Sequence, residues 1–416
     1  MTLSEELTWR GFINQTTYAN LADLDQGPQT FYHGFDASAD SQTIGNLAAL
    51  MFDKVFIRHG YKALLLAGGA TSLIGDPGGK DKERVLQGEQ TIAHNIVQAQ
   101  QEIQRVMADN EFTLVNNLDW TKDLTVIDFL RDIGKNYSMT PLLQRDFIAQ
   151  RIGEGGVGIT YTEFSYTLLQ GMDYLHLFDS YECTLQLGGS DQWGNCLSGV
   201  DLIRRTRGRE VNVITLPLII NKTTGKKFGK SEDGAVWLDP AKTTPTQFYQ
   251  FWINMDDEGV SDYIKVYTEL ERDAIDQIIK EHTESPQKRL AQRRLAQEVT
   301  TIVHGAQASA FAEVISAYLI GEKPIGEASD DELKEVRLQL PSVKVTENGS
   351  IVDSLSEGLS ISKSDARRLI KGGAISINGV KTYREDFESG DFINGRLLLR
   401  KGKKFKDSAL VEIASL

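Results

Sequence analysis

The sequence predicts an α/β fold: an open, mainly parallel sheet covered on both faces, then an all-helical stretch, then a small α+β module. Three observations lead there. Short apolar strand patterns alternate with amphipathic helical patterns across residues 1–220, the arrangement that builds parallel sheets with helices on their faces. Beyond residue 240 the strand-like runs disappear and helical periodicity takes over. After the linker-like stretch a helical pattern over 362–371, stopped by Gly372-Gly373, runs into 374–379, a short strand and an Asn-Gly turn.

In order along the chain, 4–14 reads as a helix with Glu5 and Glu6 in its first turn, where acids suit the positive end of the helix dipole. The stretch 31–56 is the opening βα unit. A short apolar strand (Phe31, Tyr32, Gly34, Phe35) turns through 36–40 into a helix whose apolar residues are Ile44, Leu47, Ala48, Met51, Phe52, Val55 and Phe56. That spacing marks one buried helix face. Asp40 or Ser41 is the expected N-cap. A strand entering a helix N-terminus presents free amides to phosphate, although a buried unit without a ligand has the same pattern. Residues 61–67 form a buried strand ending in Gly68-Gly69-Ala70-Thr71. The segment 72–80 resembles a P-loop but is one residue short between Gly75 and Gly79, and Asp81 stands where Ser or Thr should hold magnesium.

Residues 88–108 read as a helix, 112–115 as a strand and 125–133 as a helix. In 163–177 the polar residues Tyr166, Gln170 and Asp173 share one helix face, which reads as the wall of a polar pocket or as a solvated stripe. A strand at 184–187 enters Gly188-Gly189-Ser190-Asp191-Gln192, where paired glycines allow a ligand close to the backbone and Asp191 could accept from a ribose; a plain turn is the other reading. A strand at 216–220 leads into the lysine-rich loop 221–231, a mobile polyphosphate clamp or a basic surface loop. Helices follow at 246–252, 261–269 and 272–282. Ser285-Pro286 then starts another, ending before Gly305, with Lys288, Arg289, Arg293 and Arg294 on a basic face. Residues 321–350 mix Gly, Pro, Ser and acids without sustained periodicity and read as a linker.

Composition narrows the function classes. The net charge of −13 argues against bulk attraction to nucleic acid. From residue 351 onward, however, about 12 basic and 9 acidic residues give a tail of roughly +3, a pattern suited to a small phosphate-touching module. The two cysteines, Cys183 and Cys196, are too few for a disulfide framework or a thiolate metal site, and no histidines stand in metal-ligand spacing; no protein-bound metal is expected. No apolar run reaches membrane-spanning length, and the acidic N-terminus lacks the pattern of an export signal, so a cytoplasmic protein with no membrane partner is expected.

Taken in order, YHGFDASADS, GGATSLIGDP, TEFSYTLLQGMD, QLGGSDQWGN, KFGKS, WLDPAKTTPTQFYQFWIN and SKSDARRLIKGGAISING resemble the bacterial-type tyrosyl-tRNA synthetases over essentially the whole chain. The resemblance implies a Rossmann-like class I catalytic domain with a dimerisation insertion within 1–220, the insertion itself at about 115–160. It further implies the KFGKS loop and a helical anticodon-binding domain over 221–320, a linker over 321–350, and an S4-like RNA-binding domain over 351–416. It implies activation of tyrosine by ATP, accompanied by magnesium as part of the substrate, then transfer to tRNA(Tyr) by a homodimer. Tyr32 and Asp173 are implied to read the phenol hydroxyl, and Asp76, Tyr166 and Gln170 to hold the ammonium group. Asn117, Gln186 and Gln192 are implied to orient tyrosine. Gly34, Asp36, Gly45, Gly189 and Asp191 would lie along the nucleotide, with Lys227, Lys230 and Ser231 closing over pyrophosphate.

The family signature His-Ile-Gly-His reads Thr43-Ile44-Gly45-Asn46 here, and Ser38 stands where threonine is usual. Thr43, Asn46 and Ser38 therefore occupy catalytic positions with altered chemistry. An RNA-binding relative that has lost activation is the alternative expectation.

Overall fold

The computed structural model describes residues 1–76, 86–143, 146–153, 156, 158–223, 225, 228, 230–231, 234–402 and 407–414; the side chains at 141, 146, 147, 150, 230 and 231 are not included. The chain divides into two compact units, Met1–Thr243 with Ile253–Val303, and Thr244–Trp252 with His304–Leu416.

In chain order the first unit contains α1 (Leu3–Arg10), β1 (Gln15–Thr16), β2 (Thr30–Phe35), α2 (Ile44–Arg58), β3 (Lys62–Ala67) and α3 (Glu89–Met107). β4 (Phe112–Asn116), α4 (Tyr161–Tyr181), β5 (Cys183–Gly189), α5 (Trp193–Arg207) and β6 (Asn212–Leu216) follow. The strands form one six-stranded sheet among the described residues, in the order β1-β6-β5-β2-β3-β4. All neighbours are parallel except β1 and β6. From β2 the chain winds outward through β3 to β4, then returns to place β5 on the other side of β2. Strand order reverses there, and a crevice opens at the carboxyl ends of β2 and β5. The register puts Tyr32 beside Gln186 and His33 beside Leu187 at that crevice.

The predicted apolar face of α2 is the buried one: Ile44, Leu47, Ala48, Met51, Phe52, Val55 and Phe56 are each at most 2 % exposed. Phe56 packs its ring 5.4 Å from Phe31, 5.2 Å from Phe52 and 5.3 Å from Tyr61, tying α2 to the sheet. The same helix buries Lys54, whose ammonium is satisfied by Glu269 at 2.6 Å and by the Val106 carbonyl at 3.0 Å. α4 begins with a capping box in which Thr160 and Glu163 satisfy each other's backbone amides, and Arg151 pairs with Glu163 at 2.6 Å.

Several sequence expectations are corrected. α1 stops at Arg10 because Gly11 adopts φ 79°, which closes the helix. The N-cap of α2 is Thr43. Asp40 instead pairs with Lys242, and the Ser41 hydroxyl donates to Glu102 at 2.7 Å. The helix expected at 125–133 is a short α-turn, Val126–Asp128, running into a π-turn, Phe129–Ile133. The strand expected at 216–220 lies one element earlier, as β6. Pro217 follows it directly and has no N–H to donate to a ladder. The helix after Ser285 is interrupted: Pro286–Lys288 form a 3-10 turn, Arg289 takes φ 51°, and Leu290–His304 follow. Arg289 spends its guanidinium on the carbonyls of Ile253 and Met255, so it does not belong to a free basic face.

In the second unit the stretch 321–350 is structured. The helix Asp330–Gln339 starts from Ser329 in a capping box with Glu332. Its Leu333 and Val336, with Leu340, pack against Ile315, Leu319, Leu398 and Leu410. Ser342–Val345 then joins the C-terminal sheet, parallel to Ser408–Ile413. The rest of that sheet is antiparallel: Ile375–Ile377 pairs with Val380–Lys381 and with Arg396–Lys401, which pairs with Ser408–Ile413. Asn378 and Gly379 both take positive φ, 48° and 84°, as the predicted two-residue turn requires. The helices Ile351–Leu359 and Lys363–Lys371 cover one face through Ile351, Leu355, Ala366 and Ile370.

Phe56→Ala, which empties the aromatic contact between α2 and the sheet, is expected to cost about 3–5 kcal/mol of stability. Denaturant unfolding followed by circular dichroism checks this; a shift under about 1 kcal/mol would mean that α2 is held by other contacts.

Candidate functional site

A cavity of about 260 Å³ opens at the crevice between β2 and β5. It gathers residues far apart in sequence. β2 and its following turn supply Tyr32, Gly34, Asp36 and Ser38; α4 supplies Tyr166, Gln170 and Asp173; β5 and its turn supply Gln186, Gly189 and Gln192. Asp76 and Asn46 complete the set of sequence-predicted residues on its wall.

Tyr32 is 1 % exposed, its ring 5.1 Å from that of Tyr174, and its hydroxyl has no hydrogen-bond partner. Burial pushes its pKa well above the usual phenol range, so it stays a neutral donor. The side-chain carbonyls of Gln170 and Gln186 are likewise buried without partners. Unsatisfied polar atoms are costly in a protein interior, and three on the wall of one cavity mark a place built to receive polar groups.

Asp173 behaves differently because it is held from behind. Its Oδ2 accepts from Asn117 Nδ2 at 2.9 Å and its Oδ1 from Trp120 Nε1 at 2.9 Å. Burial pushes its pKa up to about 7 against the pull of those two donors. Asn117, expected on the wall, is fully buried behind it. Its carbonyl accepts from the Ala70 amide at 2.7 Å, and its amide also donates to Thr71 Oγ1 at 3.2 Å. Thr71 donates to Asp36 Oδ1 at 2.9 Å, and Tyr166 donates to Asp36 Oδ2 at 2.9 Å. Only glycine fits at position 68, where a Cβ would collide with the Asp36 carboxylate and the Thr71 hydroxyl. A second chain of bonds reaches Asp76: Thr167 donates to Asn195, Asn195 to Gln192, and Gln192 to Asp76 at 2.6 Å.

Thr43, Gly45 and Asp191 do not line the cavity. Thr43 N and Oγ1 both lie 3.0 Å from Asn46 Oδ1, so these two residues are joined at the start of α2. Asp191 is exposed. Lys227 lies outside the described residues, as do residues 77–80 of the P-loop-like segment; Lys230 and Ser231 have described backbone in a short strand paired with Gly234–Ala235, while their side chains are not described.

Sequence reasoning missed His33, Gln42, Leu50, Asp53, Gly68, Thr71 and Cys196 on the wall, and Trp120 behind it. For most of these no local signal exists. Asp53 offers a weak one, an acid within a mostly apolar helix. Among the described residues no group of His, Cys, Asp or Glu could hold a metal ion, and no helix is long and apolar enough to cross a membrane.

Comparison with known proteins agrees with this architecture. The family described as tRNA synthetases class I (W and Y) matches residues 24–319, and the tyrosine–tRNA ligase SYY-like C-terminal domain matches 332–406, beginning inside the stretch expected to be a linker. The chain is 44 % identical to a tyrosine–tRNA ligase of Streptomyces griseus over 98 % of both chains. It is 42 % identical to one of Streptomyces coelicolor, again over 98 % of each. A C-terminally truncated mitochondrial tyrosyl-tRNA synthetase of Coccidioides posadasii superposes with a TM-score of 0.66 at 28 % identity, covering 75 % of this chain and 91 % of that one. With a class I synthetase sheet, its cavity at the strand switch and relatives matching along nearly the full length, the chain belongs to the tyrosine–tRNA ligase family of class I aminoacyl-tRNA synthetases.

Proposed function

We propose that the cavity binds tyrosine and ATP side by side and that the chain carries out both steps of tyrosine charging. The observation that carries this reading is the pairing of Tyr32, whose buried hydroxyl lacks a partner, with Asp173, whose carboxylate is fixed by two donors. Together they offer a donor and an acceptor to one phenol hydroxyl. Asp76, Tyr166 and Gln170 then surround the ammonium group, with Asp36 adding negative charge nearby. Gln186 and Gln192 orient the amino acid; Asn117 acts through Asp173 rather than by contact.

In the first step a tyrosine carboxylate oxygen attacks the α-phosphorus of ATP and the bond to the bridging oxygen breaks, giving tyrosyl-adenylate and pyrophosphate. In the second a terminal adenosine hydroxyl of tRNA attacks the acyl carbon and AMP departs. No protein nucleophile is needed, because the carboxylate is already an anion. The barrier lies in charge gathering on phosphorus and on the leaving group, which oriented donors lower. The N-terminus of α2, Gly34, Ser38 and Gly189 lie along the nucleotide in this reading, and Lys227, Lys230 and Ser231 close over the pyrophosphate. Magnesium arrives on the triphosphate as part of the substrate. Activity is favoured over the RNA-binding alternative because the phenol-reading and ammonium-binding residues all share one wall.

The basic helix Lys363–Lys371 suits tRNA phosphates, and the exposed Val126, Ile127 and Tyr161, at 73 %, 69 % and 65 %, suit a partner subunit. We place the protein in the cytoplasm as a homodimer.

Four outcomes are expected. The purified chain catalyses tyrosine-dependent exchange of pyrophosphate into ATP; absence of exchange refutes the reading. Binding a phenol donor stabilises ionised Asp173, so tyrosine binds more weakly as pH falls below about 7, by up to about tenfold per unit, and titration of the KM for tyrosine between pH 6 and 8 shows it. Replacing Lys363, Arg367, Arg368 and Lys371 with alanine leaves exchange intact and raises the KM for tRNA; equal loss of both would contradict the assignment. Ile127→Asp yields monomers by sedimentation, whereas an unchanged dimer would place the interface elsewhere.

A further inference from the structure

Behind the connection from β2 into α2 lies a buried acid that is not on the cavity wall. α3 buries an apolar stripe that includes Ile92, Ile96, Ala99, Ile103 and Val106, and in the same face it buries two polar side chains, Asn95 and Glu102, each 3 % exposed. They stand seven residues apart, two turns along one side of the helix. A carboxylate at that depth is unfavourable unless donors hold it, and an aliphatic side chain would suit the packing better.

Both polar residues are directed at the connection 36–43. Asn95 Nδ2 donates to the Ala37 carbonyl at 2.9 Å. Glu102 Oε1 accepts from the Ser41 hydroxyl and its Oε2 from the Gln42 amide, each at 2.7 Å. Burial raises the pKa of Glu102, and these two donors draw it down. The bonds continue past the connection. Ser41 Oγ accepts from the Asp239 amide at 3.2 Å, 198 residues away in sequence. The Leu238 amide donates to the Gln42 carbonyl at 2.9 Å and the Ile44 amide to the Val236 carbonyl at 3.1 Å, with Thr43 and Trp237 bridged antiparallel. Arg105, one turn beyond Glu102, adds a bond to the Leu238 carbonyl at 3.4 Å. Gly234–Ala235, just before this stretch, pair with Lys230–Ser231. One carboxylate on α3 thus holds together the entry of α2 and the chain that leaves the lysine-bearing strand.

We propose that Glu102 is a positioning residue for the activation step: it holds the turn 41–43 and, through Ser41, the segment 236–239 in one fixed relation, without touching a substrate. This rests on the reading of the cavity as a tyrosine and ATP site, in which both segments border the triphosphate. An ionised carboxylate only accepts, so it takes the Ser41 proton and leaves the hydroxyl oxygen to receive the Asp239 amide. Its charge also strengthens both bonds. Gln42, whose backbone it fixes, lines the cavity, and Thr43, the next residue, caps α2. The segment 43–46 carries neither signature histidine. The entry of α2 therefore relies on backbone amides and neutral side chains, whose effect on a developing charge depends on how well they are aimed.

The test compares full-length Glu102→Leu, Glu102→Gln, Ser41→Ala and the Glu102→Leu/Ser41→Ala double variant with the unsubstituted chain. It measures tyrosine-dependent pyrophosphate exchange across ATP concentrations, and tyrosine binding by equilibrium dialysis. In Glu102→Leu the kcat of exchange is expected to fall about tenfold or more, as for a lost hydrogen bond to a charged group, and in Ser41→Ala by less. In Glu102→Gln the introduced amide still accepts from the Gln42 amide, and the Ser41 hydroxyl can turn to the Gln42 carbonyl 3.1 Å away, so most of the rate returns. The double variant loses no more than Glu102→Leu alone, because Ser41 acts through the same carboxylate. Tyr32 and Asp173 share no hydrogen bond with Glu102, so the dissociation constant of tyrosine stays within about twofold and shows that the site is folded. Should Glu102→Leu not fold, Ser41→Ala and Glu102→Gln decide by the same two measurements. An unchanged kcat in Glu102→Leu and Ser41→Ala, losses that simply multiply in the double variant, or a parallel loss of tyrosine affinity overturns the inference. Absence of exchange in the unsubstituted chain sinks the reading of the site and this inference with it, whereas exchange with unaltered variants sinks the inference alone.

Discussion

A carboxylate sealed from water must be held by donors or surrender its charge, and Asp173 sits at the balance point between the two. Its donors, Asn117 and Trp120, come from the segment just beyond β4, while Asp173 itself rides on α4. The bonds thus join one edge of the sheet to a helix that also walls the cavity. Asn117 extends the constraint: it accepts from the amide of Ala70 and donates to Thr71, which donates to Asp36. One buried amide therefore sets the positions of two carboxylates contributed by α4 and by the turn after β2. Because Asn117, Asp173 and Thr71 are buried, the geometry at the centre of this array is set before any ligand arrives.

The cavity is electrostatically uneven, and its unevenness matches the proposed substrates. In the proposed reading Asp36 and Asp76 concentrate negative charge where the ammonium group of an amino acid would lie. The wall beside the α2 N-terminus carries one further acid, Asp53, which is hydrogen-bonded to His33. A triphosphate placed at the end lined by Asp36 and Asp76 would meet charge of its own sign. At the short separations inside a cavity such encounters cost far more than in water. Orientation of the two substrates then follows from the field of the site as much as from individual contacts.

How much of this was legible in the sequence depended on the range over which each feature is encoded. The face of α2 was readable because seven apolar residues repeat at helical spacing and all seven are buried. The stripe of Tyr166, Gln170 and Asp173 was readable for the same reason, since a single helix places them together. The Asn378-Gly379 turn was readable from its own dihedral demand. Trp120 was not, because its partner lies more than fifty residues away and indole donors leave no periodic trace. The N-cap of α2 was misassigned because several polar residues in a row can cap a helix. Thr43 takes the role once Ser41 is engaged by Glu102 and Asp40 by Lys242, both distant in sequence. The helix within 321–350 did carry a signal, Leu333, Val336 and Leu340, masked by acidic neighbours that suggest a linker.

The departure at Thr43-Ile44-Gly45-Asn46 shows why a motif and a site are different things. As a string it has lost two imidazoles. In space, Thr43 and Asn46 are spent on starting α2, with one side-chain oxygen of Asn46 receiving both the amide and the hydroxyl of Thr43. An anion at the mouth of that helix is stabilised by backbone amides and the dipole, which do not depend on side-chain identity. What side chains add is directional hydrogen bonding and mobile charge, and these can be supplied from any element that borders the same volume. β2 borders it. The strand turns Tyr32 to Tyr174 of α4 and His33 to Asp53 of α2, so neighbouring residues of one short strand meet different walls of the cavity. Loss of a signature residue is therefore a statement about one position, and its consequence is decided by which other groups share the space it vacated.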